Sequence, residues 1–218
     1  MEPLQIGDAT LYQGDCTEVL QTLRHSMQPS LTGIITDPPY GIGSWSSTGG
    51  NSLSAAEADE INRWDVAPSP EVFDIIRSIS KEQIIWGGNY FLDILGKTTS
   101  PLLWDKKIRD MHYADGEFAW TSFKHGALRI FETALQGTEV RAQGRQHPTQ
   151  KPIILMEWCI SKLGKELTLI VDPFMGSGTT GVAALRTGRK FIGIELDPRH
   201  FATAVARITE ANNTPGLF

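Results

Sequence analysis

Cysteine is scarce in this chain: Cys16 and Cys159 are the only two among 218 residues. Two cysteines cannot form a disulfide framework, and the absence of a CxxC pair excludes a zinc knuckle. No apolar run approaches the roughly 18 residues that a membrane-spanning helix needs. Positive charge is not in excess either, because 20 Lys and Arg face 25 Asp and Glu. These absences argue against disulfide-rich, zinc-finger and helical membrane proteins and predict a soluble, cytoplasmic protein.

The remaining composition is that of an ordinary globular protein, with 40% hydrophobic and 21% charged residues. The length predicts a single domain over residues 1–218. The charge is uneven along the chain, since residues 120–151 hold five Lys and Arg against two Asp and Glu. Such a modest basic stretch fits a nucleic-acid contact and a solvated loop about equally well.

Strand-like and helix-like patterns alternate along the whole sequence. This alternation predicts an α/β fold whose mostly parallel sheet is covered by helices on both faces. Residues 41–69 are rich in Ser, Gly and Asn and are predicted to form a long loop. The strand-like runs at 116–123 and 127–131 are predicted to form a hairpin-like pair. The other strand-like runs are 9–13, 31–36, 83–87, 101–105, 167–172 and 190–195, and the helical spacings cover 15–25, 70–80, 152–164, 181–188 and 198–211.

A glycine loop follows the apolar run at 167–172 and opens a helix. Its glycines let the backbone approach a ligand closely, and the helix N-terminus offers unpaired N–H groups. Glu195 ends the next strand, where an acidic side chain accepts hydrogen bonds from a ribose. The order of strand, glycines, helix and carboxylate favours a nucleoside-cofactor site over a bare tight turn.

The same glycines also match the GxGxxG pattern of nicotinamide enzymes. Here, however, Asp172 and Pro173 stand between the strand and the first glycine. A carboxylate facing the loop suits a cationic, amine-bearing ligand such as S-adenosylmethionine better than a pyrophosphate. The nicotinamide oxidoreductase is therefore the last of the alternatives.

A second motif, Asp37-Pro38-Pro39-Tyr40, leaves the carboxyl end of the strand predicted at 31–36. An exocyclic base amine is a poor nucleophile, because its lone pair is delocalised into the ring. Asp37 and the backbone carbonyl of Pro38 offer two acceptors that would localise that pair as the amine attacks. Tyr40 offers a flat face for a flipped base. Taken alone, the motif fits a strand-ending turn equally well; with the glycine loop it predicts a base-methylating site.

Several segments together resemble the DNA amino-methyltransferase family, specifically its adenine-N6 type, in which the catalytic motif typically begins with Asp rather than Ser. The catalytic motif precedes the cofactor loop here, which resembles the circularly permuted β class, and IIWGGNYF, LLWDKK and FAWTSF resemble phage-borne members. The matching segments are LYQGDC at 11–16, TDPPYG at 36–41, HPTQKP at 147–152, VDPFMGSGTTGVAA at 171–184 and FIGIELD at 191–197.

The resemblance implies a Rossmann-like methyltransferase fold with a seven-stranded, mostly parallel sheet and one reversed strand. It implies S-adenosylmethionine as the cofactor, duplex DNA as the substrate, and base flipping followed by direct methyl transfer to adenine N6. By carry-over from the resemblance, the target adenine would be held by Asp37, Pro38, Pro39 and Tyr40. The methionine end of the cofactor would be lined by Asp172, Phe174, Gly176, Ser177 and Gly178. Glu195 would hold the cofactor ribose, Asp15 would lie on its adenine side, and Lys151 with Thr149 would lie on its other flank.

The chain departs from many family members because it has no sizeable separate recognition domain. Recognition is therefore expected in loops within 41–69 and 132–146. Homodimers are common among relatives, whereas a companion restriction nuclease is not implied by the sequence. The alternatives are a cytosine-N4 methyltransferase and a non-catalytic DNA- or cofactor-binding relative. RNA and protein methyltransferases with a similar motif usually carry the cofactor loop first.

Overall fold

The computed structural model describes residues 2–43, 65–109, 114–133 and 150–214. Within these ranges nine strands form one sheet in the order β1-β2-β9-β8-β3-β4-β6-β5-β7. The strands are β1 (Leu4–Ile6), β2 (Ala9–Gln13), β3 (Thr32–Thr36), β4 (Glu82–Trp86), β5 (Leu102–Asp105), β6 (Gly116–Thr121), β7 (Arg129–Glu132), β8 (Leu169–Asp172) and β9 (Lys190–Glu195).

Helices cover both faces of this sheet. None of the helices in the described ranges is long and apolar enough to cross a membrane. The helices are α1 (Cys16–Leu23), α2 (Pro70–Ile79), α3 (Leu92–Leu95), α4 (Ile153–Lys162), α5 (Thr179–Arg186) and α6 (Pro198–Asn213), with 3-10 turns at Pro29–Leu31 and Gly88–Phe91.

The strand pairing is mostly parallel. Strands β2, β9, β8, β3 and β4 all run the same way, while β6 runs antiparallel to both of its neighbours, β4 and β5. Strand β3 lies beside β8, with Ile34 opposite Val171, although 136 positions separate Thr36 from Asp172 along the chain. The mostly parallel α/β architecture is confirmed, and the carboxyl ends of β3 and β8 meet at one edge. Besides the reversed strand β6, the edge strand β1 also runs antiparallel to its neighbour β2.

Two details of the predicted sheet are wrong. The described sheet has nine strands rather than seven, because β1 and β7 extend its two edges. The predicted hairpin between 116–123 and 127–131 does not form, because β6 is already paired on both sides and β7 instead pairs parallel with β5. Three- and four-residue edge strands are too short to carry a clear periodicity, and their pairing partners are set by the finished sheet.

The central strand β3 is covered on both faces by the core. All five residues of β3 are buried, with Ile35 in the apolar layer that includes α4, α5 and α6, and Ile34 in the layer against α1 and α2. A strand covered on both faces needs apolar side chains in both directions. The tryptophans Trp86, Trp104 and Trp120 are buried in the sheet.

Truncation of the central strand should destabilise the fold strongly. Ile34 is fully buried, so Ile34→Ala should lower the free energy of unfolding by about 2 to 5 kcal/mol. Ile130→Ala is the matched control, because Ile130 lies on the edge strand β7 and is 50% exposed. Urea unfolding measures both; equal losses would contradict the placement of β3 at the centre.

Candidate active site

The catalytic motif begins where β3 ends. Pro38 and Pro39 lack the N–H groups that a further ladder would need, so the chain leaves the sheet at Asp37. One Asp37 oxygen, Oδ1, accepts a 2.7 Å hydrogen bond from the Tyr40 hydroxyl. The other, Oδ2, forms an ion pair with the Lys151 ammonium. The structure thus brings Asp37, Tyr40 and Lys151 together, with both carboxylate oxygens engaged.

The Tyr40 ring is held by the turn that follows β4. It stacks on Tyr90, with ring centroids 4.8 Å apart and planes at 20°, and its edge approaches Phe91. Gly87 makes room for it: this residue has φ 63°, and a Cβ there would lie 2.0 Å from a Tyr40 ring carbon. Burial and the neighbouring Asp37 charge raise the pKa of Tyr40 far above its ordinary value, so the hydroxyl remains a donor.

Asp65 organises the backbone after the catalytic motif. Its Oδ1 accepts hydrogen bonds from the N–H groups of Tyr40 (2.8 Å) and Gly41 (2.9 Å), and its Oδ2 from those of Ile42 (3.1 Å) and Gly43 (3.2 Å). Only 7% of Asp65 is exposed. Sequence reasoning missed this residue, because it lies in a polar loop with no periodicity and contacts a segment more than 20 positions away.

The glycine loop joins β8 to α5 at the same edge. Gly178 adopts φ 78°, and a Cβ there would lie 2.9 Å from Cβ of Ala204, so glycine permits both the turn and the close packing of α6. In front of Gly176 the space is open, with no atom within 4 Å of a Cβ built there. The loop therefore presents bare backbone to a ligand.

Glu195 ties the loop to the end of β9. Its Oε2 accepts a 2.9 Å hydrogen bond from the Gly176 N–H, and its Oε1 a 2.8 Å bond from the Asp197 N–H. Burial raises its pKa. A carboxylate has about four lone-pair sites, so each oxygen keeps an acceptor position for a further donor.

Asp172 is a buried carboxylate without a positive partner among the described residues. Its Oδ1 accepts hydrogen bonds from the Thr36 hydroxyl (2.7 Å) and the Phe174 N–H (3.1 Å). Burial raises its pKa to about 6, and the charge of Asp37 adds to that rise. A buried, uncompensated carboxylate facing a glycine loop provides a favourable position for a cation.

The other predicted cofactor residues lie in different places. Asp15 caps α1, accepting from the Thr17 and Glu18 N–H groups, and the adjoining Gly14 N–H bonds to the Glu195 carbonyl. Phe174 and Ser177 lie on the glycine loop. Lys151 contacts Asp37 rather than standing free, and a cofactor contact for it stays a prediction. Thr149 lies outside the described residues.

Arg207 is a second residue that sequence reasoning missed. From α6 its guanidinium donates to the Ser177 carbonyl (2.6 Å), the Ser177 hydroxyl (2.8 Å) and the Thr179 hydroxyl (3.0 Å). It therefore braces the glycine loop from behind. An arginine within an amphipathic helix resembles any solvated charge, and nothing in the sequence distinguishes it.

The chain is similar in sequence to known proteins. Residues 97–206 match the N6/N4 methyltransferase family model, described as DNA methylase. The chain is 30% identical over 233 aligned residues to the type II methyltransferase M2.DpnII of Streptococcus pneumoniae, covering 86% of each protein.

Solved structures with similar folds were also found. The M1.HpyAVI–SAM complex is 23% identical with a TM-score of 0.62, over 92% of this chain and 98% of that chain. The PvuII DNA methyltransferase, titled cytosine-N4-specific, is 18% identical with a TM-score of 0.61, over 96% of this chain and 93% of that chain. At these identities the likeness supports the fold.

The raised pKa of Asp172 predicts a pH-dependent stability. Between the ordinary pKa of 3.8 and the folded value of about 6, the native protein binds more protons than the unfolded chain. Stability therefore falls as pH rises through this window, by roughly 2 to 3 kcal/mol, and levels off above it. Asp172→Asn cannot ionise, so its stability relative to wild type should rise between pH 4 and pH 7.5.

Denaturant unfolding at the two pH values measures this difference, and any constant cost of the substitution cancels. Asp197→Asn is the matched control. Arg199 and the helix N–H groups hold the pKa of Asp197 at about 2, so its contribution changes below pH 4 and stays nearly constant above. If the stability of Asp172→Asn relative to wild type does not change between the two pH values, Asp172 is not an ionised carboxylate without a positive partner.

Proposed function

Because this chain belongs to the N6/N4 family of DNA methylases, we propose that it is a site-specific methyltransferase that modifies the N6 amine of adenine in double-stranded DNA. The observation that carries the proposal is the position of Asp37. It ends β3 beside the glycine loop, with its carboxylate fixed by Tyr40 and Lys151. Here an acceptor for an amine and a cofactor loop lie at one sheet edge.

The residues of the glycine loop fit S-adenosylmethionine. When bound, this cofactor supplies an electrophilic methyl group on a positively charged sulfur. Asp172 would compensate the ammonium of the methionine part, because it is buried and has no ion pair among the described residues. Glu195 keeps acceptor sites for ribose hydroxyls. The open space before Gly176 admits a ligand against the backbone.

Asp37 and Pro38 supply the acceptors that the target amine needs. As the amine attacks, each N–H becomes more acidic and bonds more strongly to a fixed oxygen, which stabilises the transition state. Lys151 stays charged beside Asp37: burial opposes its charge, but Asp37 and Glu117 hold its pKa well above its ordinary value. The carboxylate is thus oriented before the base arrives.

Cytosine-N4 methylation is the second candidate. It is favoured by the likeness to the cytosine-N4-specific PvuII enzyme. Adenine is preferred because the motif here begins with Asp37, and the resemblance associates Asp with adenine-N6 enzymes and Ser with cytosine-N4 enzymes. The two bases share an exocyclic amine, so the same acceptors serve both reactions.

Sequence recognition is proposed for the loops within 41–69 and 132–146. Of these, residues 44–64 and 134–146 lie outside the described residues. A single domain over residues 1–218, homodimerisation and the similarity to phage-borne members also stay predictions. Sedimentation equilibrium of the purified chain, with and without duplex DNA, measures its oligomeric state.

The decisive experiment is methyl transfer from labelled S-adenosylmethionine to unmethylated duplex DNA, followed by digestion to nucleosides. We expect N6-methyladenine. Asp37→Ala should lower the rate by about 100-fold or more, because a transition-state acceptor is lost. Its cofactor affinity by calorimetry should match wild type, whereas Asp172→Ala should weaken that affinity.

Each other outcome has a definite meaning. If the product is N4-methylcytosine, the target base is cytosine rather than adenine. Cofactor binding without any transfer to DNA would favour a non-catalytic relative or a different substrate. Full activity of Asp37→Ala would remove Asp37 from the reaction.

Asp65 should control catalysis through the backbone of the motif. In Asp65→Asn one of the two carboxylate oxygens becomes an amide donor, which faces the N–H groups of the loop and cannot accept from them. We expect the methyl-transfer rate to fall roughly 10- to 100-fold with unchanged cofactor affinity, because Tyr40 loses its fixed position. The exposed Asp74→Asn is the control. Equal rates for both variants would contradict this role.

A further inference from the structure

A row of alternating charges extends from Asp37 across the end of the sheet. Its members, Asp37, Lys151, Glu117 and Lys106, are called the charge row here. Lys151 pairs with Asp37 on one side and lies 3.0 Å from Glu117 Oε2 on the other. Lys106 completes the row at 2.6 Å from Glu117 Oε1. The four formal charges sum to zero.

The charge row is largely withdrawn from water. The side chains of Lys151 and Lys106 are only 6% and 10% exposed, and that of Glu117 is 27% exposed. Burial alone would raise the pKa of Glu117, but Lys151 and Lys106 lower it to about 2. Glu117 is therefore ionised over the whole working pH range. Buried charges of this kind are costly unless they are paired, so each member depends on its neighbours.

Each of the two lysine ammonium groups lies over an indole ring, which restricts its orientation. Lys151 Nζ lies 5.4 Å from the Trp86 ring centroid, and Lys106 Nζ lies 5.2 Å from that of Trp104. Trp86 is on β4 and Trp104 on β5, the strands that flank β6, and Glu117 on β6 is the direct cross-strand partner of Trp104. The sheet register thus places the Glu117 carboxylate between two ammonium groups, each of which lies over an indole ring.

Asp37 needs a lysine that stays in one place. An ammonium has three donors on a flexible four-carbon stem, and with one partner it is free to move between the two carboxylate oxygens. Such movement would block the oxygen that a target amine must reach. Glu117 draws Lys151 from the far side, and Lys106 in turn holds Glu117. Lys151 then engages Oδ2 of Asp37, while Oδ1 accepts from the Tyr40 hydroxyl and keeps a second lone-pair position for the amine.

We infer that Glu117 and Lys106 are positioning residues for methyl transfer, which hold the Lys151 ammonium on one oxygen of Asp37. This inference rests on the proposed function, because it concerns the same acceptor carboxylate. Neither residue touches the reacting atoms; both act through Lys151.

Kinetics of charge-removing variants provide the first test. Glu117→Gln keeps the shape of the side chain, and Lys106→Met keeps the contact with Trp104. We expect Glu117→Gln to lower kcat roughly 10- to 100-fold, and Lys106→Met to lower it less, with KM for DNA and cofactor affinity within about twofold of wild type. Lys81→Met is the control, because it removes a 2.6 Å ion pair to Glu166 at which both side chains are half exposed.

A double variant separates positioning from general support of the fold. In a Lys151→Met background, Glu117→Gln should cause no further loss of kcat, because its effect passes through Lys151. An additional loss equal to that in wild type would overturn the inference. So would wild-type kcat in folded Glu117→Gln and Lys106→Met proteins, with folding checked by thermal melting.

A crystal structure of Glu117→Gln tests positioning without any substrate. We expect the Lys151 ammonium to leave its single-oxygen contact with Asp37, and an unchanged contact would overturn the inference. If the wild-type enzyme transfers no methyl group to DNA but Lys151 moves in this variant, the proposed function fails and the positioning role stands. If DNA is methylated and Lys151 stays in place, the opposite holds.

Discussion

The Thr36 hydroxyl donates a 2.7 Å hydrogen bond to Asp172, and this bond joins two strands whose motifs are 136 positions apart in sequence. Asp37, which follows β3, and Asp172, which ends β8, lie at one edge of the sheet. Parallel pairing of β3 with β8 makes the contact possible, because it aligns the carboxyl ends of both strands. Without that register the glycine loop and the catalytic motif would be separate turns.

Charge is compensated differently at the two carboxylates that meet there. Asp37 has Lys151, whereas Asp172 has hydrogen bonds but no ion pair among the described residues. Under the proposed function, Asp172 is therefore the partner of a cation, and Asp37 accepts from an amine with N–H donors. The two acids differ because only Asp37 has a lysine beside it.

Local signals explain why much of this could be predicted from the sequence. Prolines end β3 after Thr36, Asp15 caps α1, and glycines open α5, and each effect acts within a few residues. The pairing of β7 with β5, the backbone bonds of Asp65 and the brace from Arg207 join segments distant in sequence. No periodicity encodes such contacts, so they became visible only in the folded chain.

Lys151 illustrates how the fold changes the meaning of a motif residue. Its place beside Thr149 in HPTQKP suggested the flank of the cofactor, but its ammonium lies between Asp37 and Glu117. Strand β6 brings Glu117 there only because it is inserted in reverse between β4 and β5. The reversed strand therefore does more than complete the sheet. It carries Glu117, whose carboxylate attracts Lys151 from the side opposite Asp37. Under the proposed function, this second attraction leaves Asp37 able to accept a hydrogen bond from the target amine.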